Sequence, residues 1–143
     1  MQATQPVYED YRDSLVVFAD ILGMEREIRA IANEQSFRIV ATVLGLLRGQ
    51  AESWCSMDGT LQDFRATAVS DSLIIPMPWR SKGAAVALIE AMSDLQYGML
   101  LNAGRLLRGY LTRGRLHHKG EAIFGEGYVR AYQGEQGLKS GPP

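Results

Sequence analysis

The feature that most constrains this fold is an apolar run, SLVVFADIL at residues 14–22, which carries a single aspartate near its end. The run contains several β-branched side chains and is followed by Gly23, and this pattern predicts a buried strand leading into a tight turn. Asp20 is therefore predicted to lie where the strand ends. An aspartate in that place is ordinarily a cap or turn residue, so its role depends on its neighbours.

Two longer segments have the apolar spacing of amphipathic helices. The first begins at Glu25 and extends to about Leu47, and an interruption near residues 33–36 is left open. The second covers residues 81–103, with Ser81 as its N-cap. Residues 48–60 between them have the composition of a loop.

The remaining segments predict further strands and a short helix. Residues 61–69 and 73–75 predict a β-hairpin that turns at Ser70 and Asp71 and stops at two prolines. Residues 105–117 alternate as a fourth strand, and residues 126–136 read as a short helix.

This order, β-α-β-β-α-β, is that of the ferredoxin-like or palm-type fold. It predicts an α+β protein with an antiparallel sheet and helices packed on one face. Residues 1–143 are predicted to form a single domain with a core at about 14–135, and residues 1–13 and 137–143 are read as loose ends.

Composition narrows the classes of partner. The chain has 15 basic and 16 acidic residues and a formal net charge of −1, so no basic field favours binding to nucleic acid. A single cysteine fits a reducing, cytoplasmic setting. The first residues lack the pattern of a signal peptide, and no apolar stretch approaches the roughly 20 residues of a bilayer span, so no membrane association is expected.

Two carboxylates carry the predicted chemistry. Asp20 ends the first strand, and Asp71 lies in the turn of the hairpin; in this fold those strands are neighbours. Paired carboxylates at one sheet edge suit a hard cation with oxygen ligands, and Mg²⁺ or Mn²⁺ is expected. The backbone of Leu22, Gly23 and Met24, entering the next helix, is predicted to bind the phosphates of a nucleotide.

Four segments resemble the motifs of the class III nucleotide (adenylate/guanylate) cyclase catalytic domains. FADILGM at residues 18–24 resembles F-x-D-I-x-G-F, and VSDS at residues 69–72 resembles the motif that is usually I-G-D. RGYLTRG at residues 108–114 resembles R-x-G-I-H-x-G, and GYVRA at residues 127–131 falls where the family has its V-N-x-A helix.

This resemblance implies a two-metal site for a nucleoside triphosphate substrate. The two ions would be held by Asp20, Asp71 and the main-chain carbonyl of Ile21. The product would be a cyclic nucleotide, in bacterial signalling or antiphage defence, and the family builds its sites across a homodimer.

The chain departs from the family at several positions. Thr67 replaces the purine-selecting lysine and Ala122 its partner, while Val129 and Gln133 replace the transition-state asparagine and arginine. Other cations must then offset phosphate charge. Arg113 is predicted as a catalytic cation and Arg115 as a nucleotide-binding one, because side chains two apart on a strand share a face.

Two other functions stay open on the sequence. The domain is either an active cyclase or a catalytically degenerate nucleotide-binding or dimerisation module that kept the metal aspartates. A palm-type oligonucleotide cyclase of the diguanylate kind is a further alternative, although the hairpin reads V-S-D-S where that class has G-G-D-E-F.

Overall fold

The computed structural model describes residues 11–57, 67–79, 82–119 and 122–139. Within these ranges the elements follow the order β1 (Tyr11–Ile21), α1 (Met24–Arg29), α2 (Glu34–Met57), β2 (Thr67–Val69), β3 (Ser72–Pro78), α3 (Lys82–Ala103), β4 (Leu107–Lys119), β5 (Ala122–Phe124) and α4 (Glu126–Lys139).

The strands form one antiparallel sheet in the order β2-β3-β1-β4-β5. The central strand is β1, which pairs with β3 on one side and with β4 on the other. The predicted α+β, ferredoxin-like architecture is confirmed. Residues 14–21 of the buried apolar run belong to this central strand.

Helices cover both faces of this sheet. The two long helices, α2 and α3, both pack on the face that carries Leu15 and Val17, as was predicted for them. The last helix, α4, adds a layer on the opposite face, where Val16 and Phe18 lie. The ring of Phe18 meets that of Tyr132 edge to face, with 5.5 Å between centroids. The part of β1 from Leu15 to Ala19, which is apolar at every position, is thus buried from both sides.

The helical segment after β1 is divided in two. The short helix α1 ends at Arg29, and α2 begins at Glu34, where the Asn33 side chain accepts a hydrogen bond from the Ser36 N–H at 2.9 Å. This is an N-cap that the sequence carries. Helix α2 then continues to Met57 through residues 48–57 of the segment predicted as a loop, whose last three residues lie outside the described part of the chain. Polar composition alone does not stop a helix, because exposed positions tolerate it.

Two strand boundaries also differ from prediction. Strand β3 continues through Pro76 and Pro78, and within the described residues β2 pairs with Ser72 to Ile74 of that strand. A strand accepts a proline where its missing N–H faces no ladder partner. The short strand β5 was not predicted, and α4 extends to Lys139. Residues 61–66 of the predicted hairpin lie outside the described residues.

Helix α3 is long and apolar enough, by length and composition, to cross a membrane, which the sequence analysis did not single out. In the fold it packs against the sheet through Leu88, Ala91, Leu95 and Met99, which are buried. Its other side exposes several large apolar residues, Tyr97 and Leu101 among them.

Candidate functional site

Asp20 lies near the end of β1, between two other strands. It is opposite Ser72 of β3 and opposite Arg108 of β4 in the sheet register. Only 3% of the residue is exposed. The guanidinium Nη2 of Arg108 donates to Asp20 Oδ2 at 3.1 Å, so the carboxylate is held by a cation from the neighbouring strand.

Asp71 lies in the loop of the β2–β3 hairpin, beside the same strand end. The Ile21 N–H donates to the main-chain carbonyl of Asp71 at 3.3 Å, which ties the hairpin loop to the end of β1. Asp71 is half-buried, and Ser70 before it has a φ of 56°. This φ lies in the left-handed region, which glycine adopts more readily than a residue with a Cβ.

Asp20 and Asp71 line one open cleft of about 810 Å³. The end of β1 and the hairpin turn therefore lie side by side, as expected from the order of the elements. Residues of α1 form the other wall and bring both signs of charge into the cleft. The cleft is lined by Asp20, Ile21, Gly23, Glu25, Arg26, Glu27, Arg29, Asp71 and Arg108.

Ion pairs organise the α1 wall. Arg29 binds Glu25 at 2.8 Å, and Arg105 from the loop between α3 and β4 binds Glu27. Arg26 is exposed, and among the described residues it has no ion-pair partner. No carboxylate of the described residues therefore neutralises Arg26, which leaves this cation of the cleft available to an anionic ligand.

The oxygen atoms that line the cleft are of the type that a hard divalent cation binds. Two carboxylates and the main-chain carbonyl of Ile21 are oxygen ligands, as Mg²⁺ prefers. Within the part of the chain that the structure describes, no three His, Cys, Asp or Glu side chains cluster as a complete metal site. A cation here would take its other ligands from water and from phosphate oxygens, which is the usual arrangement for Mg²⁺.

The predicted phosphate cradle is only partly present. The Leu22 N–H donates to the carbonyl of Leu106 at 2.9 Å and so is already engaged, and Met24 as a whole residue, its backbone included, is fully buried. Gly23 has a φ of 78° and faces the cleft. Because α1 is only six residues long, its dipole adds little to anion binding.

Arg113 and Arg115 do not reach this cleft. Arg113 is opposite Leu15, five residues along β1 from Asp20, which is about 16 Å at the rise of a strand. Its guanidinium binds Asp13 through two hydrogen bonds to Oδ2, at 2.5 and 3.0 Å, and lies 4.2 Å from the Trp79 ring centroid. Within one chain the structure therefore does not bring these arginines beside Asp20, and their role in phosphate binding stays a prediction.

Both arginines act locally at the far end of the sheet. The hydrogen bond from Arg113 lowers the pKa of the Asp13 carboxyl below its usual value. The Arg115 N–H and guanidinium lower the pKa of Glu126 in the same way. The residue types in the sequence did not reveal these partners, because the partners come from other elements.

The positions where the resemblance implies transition-state groups lie on the outer side of α4. Val129 and Gln133 are both exposed, whereas Ala131 and Glu135 of the same helix face inward and are buried. Thr67, at the lysine position, begins β2. Asp20 and Asp71 thus share one cleft, and the side chains at positions 67, 129 and 133 are not among the residues that line it.

Comparison with known proteins supports the fold. No protein-family model matches the chain, and no curated protein matches it in sequence. The structure is similar to the solved structure of a bacterial light-regulated adenylyl cyclase, with a TM-score of 0.64 and 10% sequence identity. The match covers 92% of this chain and 73% of that one.

The chain has a cyclase-like fold. At this level of identity the likeness concerns architecture alone, and catalysis must be argued from the side chains.

Three side chains of this region were not predicted from the sequence. Arg26 and Arg29 follow Gly23 closely, and their position just after a strand-end aspartate was a usable signal. Glu135 had no such signal. Its carboxylate comes within reach of Arg108 only because α4 packs on the β1 face that carries Asp20.

Proposed function

We propose that this domain is a nucleotide cyclase-like domain that binds a nucleoside triphosphate with Mg²⁺ or Mn²⁺ in the cleft between Asp20 and Asp71. One observation carries the proposal: a carboxylate from the end of β1 and one from the β2–β3 hairpin loop line a single open cleft in a cyclase-like fold. Paired carboxylates that share a cation with substrate phosphates are the usual device for phosphoryl-transfer chemistry.

The cations of the cleft suit a triphosphate better than those named from the sequence. Arg26 and Arg29 lie on α1, immediately after the turn at Gly23, and both face the cleft. Arg29 is exposed and shares its charge with Glu25 in a solvent-accessible pair, which is weak and easily exchanged. We propose that these arginines bind phosphate oxygens and take the role first assigned to Arg113 and Arg115.

The proposed reaction is an intramolecular displacement on the nucleotide. The ribose 3′-oxygen attacks the α-phosphorus, the bond from that phosphorus to the bridging oxygen breaks, and pyrophosphate leaves while the hydroxyl proton passes to water. Bound divalent cations would supply a lower hydroxyl pKa and offset the developing charge. Asp20, Asp71 and the Ile21 carbonyl would hold those cations, and Arg26 would orient the leaving phosphates.

A catalytically degenerate nucleotide-binding module is the second candidate. It is favoured by the ion pair between Asp20 and Arg108, since this carboxylate is already bound by a cation of the protein itself. The exposed positions of Val129 and Gln133 point the same way. Homodimer assembly and cytoplasmic localisation remain predictions from the sequence.

Product analysis separates the candidates. Purified protein is incubated with each of the four nucleoside triphosphates and Mn²⁺, and the products are separated by chromatography. An active cyclase gives a cyclic mononucleotide, which Asp20→Asn and Asp71→Asn abolish. Metal-dependent nucleotide binding without turnover supports the degenerate module, and a linear or cyclic dinucleotide supports the oligonucleotide cyclase.

Asp13→Asn is the matched control. Asp13 lies on the same strand as Asp20 and also binds an arginine of β4, but it is at the other end of β1. It should leave turnover unchanged. If Asp20→Asn and Asp71→Asn keep full metal binding and turnover, the proposed site is wrong.

A further inference from the structure

Arg108 lies between two buried carboxylates from different elements. On one side is Asp20 of β1, and on the other is Glu135 of α4, which is fully buried. The guanidinium is within hydrogen-bonding distance of Asp20, at 3.1 Å, whereas its Nε is 3.6 Å from Glu135 Oε1. The second distance fits an ion pair but is longer than a hydrogen bond.

Glu135 is held in a fixed orientation toward this arginine. The Gln136 side-chain amide donates to Glu135 Oε2 at 3.0 Å, so the other oxygen, Oε1, is the one that faces Arg108. The backbone is also close to the sheet at this point, because a Cβ added at Gly134 would overlap the ring of Tyr110. Glu135 is therefore oriented toward Arg108 by a hydrogen bond to its other carboxylate oxygen, in a part of α4 that lies close to the sheet.

A divalent cation and Arg108 compete for the same carboxylate. If a cation binds Asp20, the guanidinium loses the attraction of its hydrogen-bonded partner and is repelled by the new charge. A partly buried guanidinium without a partner is costly. The planar guanidinium carries five N–H donors, so a small movement toward α4 would convert the existing ion pair with Glu135 into a hydrogen-bonded one.

We propose that Glu135 is a positioning residue for the cation site, which receives Arg108 when a divalent cation binds Asp20. This inference rests on the proposed function, since it assumes that the cation binds in the Asp20–Asp71 cleft. Glu135 acts through Arg108 and touches neither the cation nor the nucleotide. Arg108 thus binds Asp20 when the cation site is empty, and it moves to Glu135 when a cation binds Asp20.

The affinity for Mn²⁺ alone, measured by calorimetric titration, tests this role. Glu135→Gln keeps the size of the side chain and removes its charge, and we expect it to weaken Mn²⁺ binding about tenfold, the scale of one charge-assisted hydrogen bond. In an Arg108→Gln background the same substitution should have little effect, because the group through which Glu135 acts is gone. Thermal unfolding of each variant verifies that it is folded.

This double-mutant cycle also identifies the rival explanation. If Glu135→Gln weakens Mn²⁺ binding equally with and without Arg108, Glu135 acts through its direct field, and the positioning role is wrong. If Asp20→Asn leaves Mn²⁺ binding intact, the proposed site itself fails. If Asp20→Asn abolishes binding while Glu135→Gln binds as the unmodified protein does, only the role of Glu135 fails.

The unmodified protein offers a second test that needs no variant. In a ¹⁵N–¹H spectrum, titration with diamagnetic Mg²⁺ should shift the Arg108 Nε–H resonance downfield as its bond to Glu135 shortens. The backbone amides of Ile21 and Asp71 should move over the same range of Mg²⁺ concentration. Movement of those amides with a stationary Arg108 Nε–H would overturn the proposal.

Discussion

Asp20 and Arg108 lie directly opposite each other on neighbouring antiparallel strands and form an ion pair of 3.1 Å at the edge of the candidate cleft. The aspartate is almost fully buried, and the arginine side chain is 27% exposed. In the cation site proposed above, this pair would be the metal-free state, in which the guanidinium of Arg108 supplies the positive charge beside Asp20.

Replacement of the two cleft aspartates should affect stability very differently. Asp20→Ala removes a hydrogen-bonded charge partner of the partly buried Arg108, which keeps Glu135 as its other partner, so we expect the free energy of unfolding to fall by about 2 kcal/mol. Asp71→Ala removes a half-exposed side chain from a loop and should cost under about 0.5 kcal/mol. Urea denaturation measures both. Equal losses would show that the Asp20–Arg108 pair does not stabilise the fold.

Ser70→Gly should stabilise the protein. Ser70 has a φ of 56°, in a region that costs a residue with a Cβ about 1–2 kcal/mol. Glycine relieves that strain but loses roughly 0.5–1 kcal/mol through the greater freedom of the unfolded chain. We expect a net gain of about 0.5–1 kcal/mol, seen as a higher urea midpoint with an unchanged slope. A lower midpoint would mean that the serine side chain stabilises the hairpin turn.

Two glycines of α4 should respond oppositely to alanine. At Gly134 a Cβ would overlap the Tyr110 ring, so Gly134→Ala should destabilise the protein by about 1–2 kcal/mol despite the better helix propensity of alanine. At Gly137 a Cβ would meet nothing within 4 Å, so Gly137→Ala should stabilise by up to about 1 kcal/mol. The difference in thermal midpoint is the measurement. Stabilisation by both would contradict the close packing of α4 on β4.

The pair formed by Asp13 and Arg113 predicts a pH dependence at the other end of β1. Arg113 lowers the Asp13 pKa from its ordinary value of 3.8, so the folded state binds this proton less readily than the unfolded state does. The resulting stability is present above pH 3.8 and is lost as the pH falls through the lowered pKa. Asp13→Asn should therefore flatten the fall of the thermal midpoint in this acidic range. Superimposable curves would show that the pair contributes nothing.

Arg113→Ala tests whether the far end of the sheet takes part in catalysis. Because Arg113 is engaged by Asp13 and Trp79, we expect a small loss of stability and unchanged nucleotide binding and turnover. Arg26→Ala, in contrast, should weaken nucleoside triphosphate binding about tenfold while leaving stability unchanged, because it removes an exposed, charge-assisted phosphate contact. A reversed result would restore the role first assigned to Arg113.

The elements that the sequence predicted are those whose signals are local. The run around Val16 and Phe18 is apolar at successive positions, and the turn at Ser70 and Asp71 interrupts two β-type segments. Their pairing then followed from the chain order of the fold. The position of Asp71 beside the β1 end could be predicted for this reason, before any side-chain contact was known.

The missed features depend on tertiary packing. Strand β5 is too short for periodicity to reveal, and its pairing with β4 defines it. The partner of Arg113 depends on the register between β1 and β4, and the neighbour of Arg108 depends on α4 folding back on the sheet. The sequence around an arginine on a strand does not depend on which acidic residue lies opposite it in the fold. The partners of these arginines could therefore not be predicted from the sequence.

Paramagnetic broadening by Mn²⁺ tests the central claim most directly. In a ¹⁵N–¹H spectrum with substoichiometric Mn²⁺, we expect the strongest loss of signal at the amides of Ile21 and Asp71, a much weaker loss at Asp13, and suppression of the pattern by Asp71→Asn. Broadening centred instead on acids outside the cleft, such as Glu52 or Glu126, and unchanged by Asp71→Asn, would contradict a cation site between Asp20 and Asp71.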